Sequence, residues 1–147
     1  MKHYTIKKMV MSSNEGINRE WALCRHYGII RTAHDSGSYD TGSDIETGYA
    51  NISVKASAFT LMSGSLCEGR ETFNEIWALY KSKVHSDTFA YITKEYEVYE
   101  MNLNEFEKFV FAFCKTERES EKNGGQMKIR CRKESEKMLR WLSERAA

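Results

Sequence analysis

The chain has 147 residues, 41% hydrophobic and 29% charged, with a formal net charge of +1, four cysteines and no proline. That length suits one domain with its own core, and no apolar run approaches the roughly 20 residues of a membrane span. The first residues, Met-Lys-His-Tyr-Thr-Ile-Lys-Lys, lack a secretory hydrophobic region, so a soluble, cytoplasmic protein is expected. Cys24, Cys67, Cys114 and Cys131 show no CxxC or Cys/His spacing, so neither a zinc knuckle nor a disulfide framework is indicated and reduced, mostly packing thiols are expected.

The small net charge conceals segregation. Residues 1–34 carry six Lys and Arg against two Asp and Glu, residues 35–107 carry five against thirteen, and residues 108–147 carry eleven against six. An acidic centre between basic ends suits a metal-binding pocket with phosphate-gripping arms, or ordinary solvated charge on several surfaces.

In chain order, Ser12 or Ser13 with Glu15 predicts a helix start, and Gly28 predicts its end. The helix spans about 14–27, with Ile17, Trp21, Cys24 and Tyr27 as its core stripe and Glu20 at the border. Residues 29–33 read as a short strand. Residues 34–48, rich in Gly, Asp and Ser, read as a loop carrying Asp35, Asp40, Asp44 and Glu46. Residues 50–57 and 59–63 read as two adjacent strands. Thr72 caps a predicted helix through about Val84, lined by Phe73, Ile76, Trp77, Tyr80 and Val84. Residues 89–93 and 96–101 alternate around Lys94-Glu95 and predict a hairpin, and Asn102 with Glu105 predicts a helix to about Cys114. Residues 115–125 read as a charged segment ending in a Gly-Gly turn. Residues 126–132 alternate as a strand, with Met127, Ile129 and Cys131 on one side and Gln126, Lys128, Arg130 and Arg132 on the other. A last helix, about 133–144, buries Met138, Trp141 and Leu142. The order predicts an α+β fold with a mixed β-sheet flanked by helices.

In the strand 50–57, alternation sends Ile52 and Val54 to one side and Asn51, Ser53, Lys55 and Ser57 to the other, expected to be a polar face. Asp44 and Glu46 share a face where that segment is extended, and such hard oxygen ligands suit Mg2+. His26 is expected to complement the helix dipole. His34-Asp35 either lies beside a metal or ties the loop by local hydrogen bonds.

The order of a helix, strands carrying Asp44 and Ser53-Val54-Lys55, a helix and a strand resembles the core of the PD-(D/E)XK, or restriction-endonuclease-like, nuclease superfamily, over about residues 13–101. Residues 102–147 would then be a basic C-terminal helix-strand-helix extension within the single domain 1–147. The resemblance implies Asp44 as the metal-binding aspartate and Lys55 as the motif lysine. Ser53 stands where the family has Asp or Glu, so Glu46, or Asp35 or Asp40, would supply the missing carboxylate, and Glu20 could complete the site. The implied activity is Mg2+-dependent phosphodiester hydrolysis, with DNA ahead of RNA as substrate and Lys55 stabilising developing negative charge.

Lys128, Arg130 and Arg132 would grip backbone phosphates, or serve as a charged edge that prevents aggregation. A different class of reading is a non-catalytic nucleic-acid- or protein-binding accessory protein of a phage or mobile element, for example an inhibitor of a host defence nucleoprotein. A homodimer closed by exposed aromatic residues is a third.

Overall fold

The computed structural model describes residues 1–29, 45–47, 50–61 and 69–147. Its elements are β1 (Lys2–Thr5), α1 (Glu15–Tyr27), β2 (Ile45–Glu46), β3 (Asn51–Lys55), β4 (Phe59–Leu61), α2 (Phe73–Lys83), β5 (Thr88–Ile92), β6 (Glu97–Met101), α3 (Leu103–Phe113), β7 (Cys114–Arg118), β8 (Met127–Cys131) and α4 (Glu136–Ala146). They form an α+β fold with two sheets. The larger is mixed, in the order β1-β6-β5-β3-β2, and only its β3–β5 pair is parallel. The smaller is antiparallel, in the order β4-β8-β7. Among the described residues no helix is long and apolar enough to cross a membrane.

Local chemistry sets most helix ends. Thr72 and Asn102 each accept from the backbone of the residue three later, and Glu75 and Glu105 reach back to the cap backbone, as the capping-box spacing predicts. α1 starts one step later than Ser12 or Ser13 would give. Its cap is Asn14, whose Oδ1 accepts from Gly16 and Ile17, while Ser12 Oγ accepts from the Asn14 amide. Gly28 ends α1 in the left-handed region at φ 69°, as predicted.

The buried stripe of α1 is a correction. Asn18, Arg19, Ala22, Leu23 and Cys24 are buried, whereas Ile17, Trp21 and Tyr27 are partly exposed. The polar members are satisfied in place. Asn18 Oδ1 accepts from the amides of Met11 and Ser12. Arg19 donates to the carbonyls of Thr93 and Glu15 and lies 5.3 Å over the Tyr96 ring, so the hairpin turn supplies partners that periodicity cannot foresee.

Three strands were absent from the sequence reading. β1 pairs with β6, β2 forms within the segment read as a loop by pairing with β3, and β7 forms within the charged segment after Cys114 by pairing with β8. All three are edge strands, where outward charge is tolerated and even protective. β4, adjacent to β3 in sequence, joins the other sheet by pairing with β8, so the smaller sheet ties residues 59–61 to the C-terminal segment.

The larger sheet is covered on both faces. One face packs Ile45, Ile52, Ala90, Ile92 and Val98 against Ala22, Leu23 and Cys24 of α1. The other packs Phe89, Tyr91, Tyr99 and Met101 against α2, α3, α4 and the inner face of the smaller sheet. Phe106 of α3 is the hub of this second core. It stacks on Phe89 at 4.4 Å and lies 6.1 Å from both Phe59 and Trp77.

Candidate functional site

β3 carries the two residues at the centre of the sequence argument. Its parallel register sets Ser53 beside Phe89 and Lys55 beside Tyr91 on β5. The alternation is in the predicted phase, with Ile52 and Val54 on the α1 side and Ser53 and Lys55 on the other. The expected polar face is the correction, because that side is the aromatic core. Ser53 is 1% exposed and Lys55 2%. The Lys55 ammonium lies 5.8 Å from the centroid of the Phe59 ring and 6.0 Å from that of Tyr80, within cation–π range. The reason is position in the sheet: β3 lies between β5 and β2, and layers pack on both faces.

Ser53 Oγ is fully buried and has no hydrogen-bond partner among the described residues. A hydroxyl in that state costs about 1 to 3 kcal/mol of desolvation, so this segment carries polarity that stability alone does not favour.

The predicted carboxylates are dispersed in what the structure describes. Asp35, Asp40 and Asp44 lie outside the described residues, as does the side chain of Glu46, whose backbone pairs with Asn51 in the β2–β3 hairpin. Glu20 belongs to α1, which packs on the face opposite Lys55. A carboxylate not foreseen, Asp87, accepts from the Asn51 amide where β3 begins. Among the described residues no three His, Cys, Asp or Glu side chains form a metal-holding group. Mg2+ takes near-octahedral oxygen ligands, whereas the Phe59 and Tyr80 rings and the Cys114 thiol near Lys55 by themselves do not fit that ion.

The smaller sheet presents the cations. Ile129 and Cys131 of β8 are buried, and Lys128 and Arg130 occupy the alternate, outward positions with Arg132 just beyond, as the alternation predicts. Arg130 is opposite Thr60 on β4 and Lys115 on β7, and its Nη1 donates to Thr60 Oγ1 at 2.9 Å. Lys128 is opposite Glu117, and Arg132 Nη2 donates to Glu117 Oε1 at 2.9 Å. Lys115, Lys128, Arg130 and Arg132 therefore share one outward face with Glu117, which Arg132 engages. Lys115 was missed with its strand. The signal was present as the alternation Cys-Lys-Thr-Glu-Arg, complementary to Met-Lys-Ile-Arg-Cys.

A third polar group joins β1, β6 and α1. Tyr4 and Tyr27 both donate to Glu100 Oε2, the latter at 2.6 Å, and His26 stacks on the Tyr4 ring at 4.5 Å. Burial, and then the Glu100 carboxylate, push the Tyr4 phenol far up and the Tyr27 phenol up to about 12. His26 stands in the last turn of α1, where the dipole argument places it.

Comparison of the chain with protein-family models, curated proteins and solved structures gives no match.

Proposed function

We propose that the protein binds nucleic acid through its phosphate backbone, using the outward face of the smaller sheet. The observation that carries this reading is the grouping of Lys115, Lys128, Arg130 and Arg132 on one outward face of rigid, paired strands, with Glu117 engaged by Arg132. Outward residues repeat about every 6.6 to 6.8 Å along a strand, so Lys128 to Arg132 span roughly 13 Å. Over that length duplex DNA presents about eight phosphate charges. Such contacts give position and affinity without reading sequence.

With three or four phosphates neutralised, log K should fall against log salt with a slope of about −3, and removing two cations should flatten it by about 2. The test is titration of labelled duplex DNA and RNA across salt concentrations with Arg130→Gln/Arg132→Gln and the parent protein, each checked for folding by circular dichroism. Unchanged affinity and slope in a folded variant would sink the reading.

A second reading, Mg2+-dependent phosphodiester hydrolysis, is favoured by one observation. Ser53 places a hydroxyl without a partner among the described residues, and Lys55 an ammonium, in the interior of β3, a strand joined through α2 to a parallel neighbour. In that reading Asp44, Glu46 and Asp35 hold the metal and Lys55 stabilises the charge that develops on phosphate. Asp44→Ala and Lys55→Ala should abolish cleavage of plasmid DNA in Mg2+ while retaining DNA binding. A parent protein that binds DNA without Mg2+-dependent cleavage leaves the binding function alone.

A further inference from the structure

Cys114 opens the edge strand β7 and Cys131 ends β8, and the antiparallel register sets them directly opposite each other. Directly opposed residues in such a pair have Cα atoms about 4.5 to 5.5 Å apart, inside the roughly 4.4 to 6.8 Å that a disulfide spans. Both are free, buried thiols on the inner face of the smaller sheet. The register makes the two thiols neighbours on that face, Cys131 Sγ donates to the Arg132 carbonyl at 3.5 Å, and Lys55 on β3 is near enough to act on Cys114 electrostatically.

We propose that Cys114 and Cys131 are a modification site: a dithiol that hydrogen peroxide converts into an intramolecular disulfide joining β7 to β8. The pair is chemically unequal. The neighbouring Cys114 thiol holds the Cys131 thiol below its usual range, with Arg130 acting in the same direction. Cys114 is pushed up by the neighbouring Cys131 and by burial, and Lys55 opposes the rise. Cys131, next to Arg130, attacks and Cys114 resolves; exchanging the two roles gives the same disulfide between the opposed residues.

The Cys131 thiolate attacks one peroxide oxygen, the O–O bond breaks, and the departing hydroxide takes up the proton that Cys131 released, leaving as water. Cys131 is then a sulfenic acid. The Cys114 sulfur attacks it, the S–O bond breaks, and hydroxide leaves with the Cys114 proton as a second water. Two thiols and one peroxide give one disulfide and two waters, with the electron pair passing from sulfur to peroxide oxygen. Cys24 is not a competing partner, because it belongs to the core on the other face of the larger sheet.

The modification does not depend on nucleic-acid binding and is read without it. The folded full-length protein is treated with hydrogen peroxide, alkylated, digested with trypsin without reduction and examined by mass spectrometry. The expected product joins the peptide Phe109–Lys115 to Cys131–Arg132, with loss of two thiols that dithiothreitol restores. In Cys114→Ser the linked peptide disappears and dimedone traps a sulfenic acid on Cys131, whereas Cys24→Ser retains the link. A folded protein that keeps both thiols under a large excess of peroxide, while the urea-unfolded chain is oxidised, would overturn the proposal. So would a disulfide from Cys114 or Cys131 to another cysteine.

Discussion

Replacing Phe106 with alanine should weaken both sheets in one cooperative step. Phe106 is fully buried, stacks on Phe89 of the larger sheet and lies 6.1 Å from Phe59 of the smaller one. An aromatic side chain buries about 150 to 250 Å2, which at about 25 cal/mol per Å2 is roughly 4 to 6 kcal/mol. Alanine keeps part of that burial and leaves a cavity, so a loss of about 3 to 5 kcal/mol is expected. For a chain of this size that corresponds to a fall in Tm of roughly 6 to 20 °C. Phe106→Leu retains most of the apolar volume and forfeits mainly the ring pairing, about 0.5 to 1.5 kcal/mol. Urea unfolding followed by tryptophan fluorescence and by far-ultraviolet circular dichroism should give coincident transitions for both variants. A loss below about 1 kcal/mol in Phe106→Ala, or separate transitions for the two probes, would refute a shared core built on this ring.

Two further outcomes follow from local geometry. Gly28 ends α1 at φ 69° and an added Cβ would meet no atom within 4 Å, so Gly28→Ala should cost about 1 kcal/mol from backbone conformation alone. Urea unfolding of Gly28→Ala and Gly28→Asn checks this, and an Ala variant as stable as the parent contradicts it. Stability should also fall at alkaline pH. The Tyr27 phenol is held up to about 12 in the folded chain against about 10 when unfolded, so its contribution is intact below pH 10 and lost from pH 10 towards 12, as the unfolded chain releases its proton first. Glu100→Gln removes the carboxylate that both phenols share and should shrink this loss. Parallel stability–pH curves for the parent and Glu100→Gln would show that the cluster does not act this way.

The predictions that held rest on chemistry confined to a few residues. Thr72 with Glu75, Asn102 with Glu105, and Gly28 each settle their own backbone groups, so their helices could be placed before any packing was known. The alternation of 127–131 likewise put Ile129 and Cys131 inward and Arg130 outward. The failures have a common origin in partners that are distant along the chain. β1 and β7 exist because β6 and β8 supply their hydrogen bonds, and Arg19 is buried because Thr93, seventy-four residues later, offers a carbonyl.

The amino-acid sequence by itself determined that Ser53 and Lys55 share one side of a strand, and that Lys128, Arg130 and Arg132 share one side of another, because side chains alternate in any extended chain. Only the tertiary structure decided what those sides meet. Layers of aromatic side chains close over Ser53 and Lys55, whereas the outward face of β8 is left to Lys115, Glu117 and Thr60 on its neighbours. Which face of a strand is buried is a property of the elements packed on it, and those elements come from the whole length of the chain.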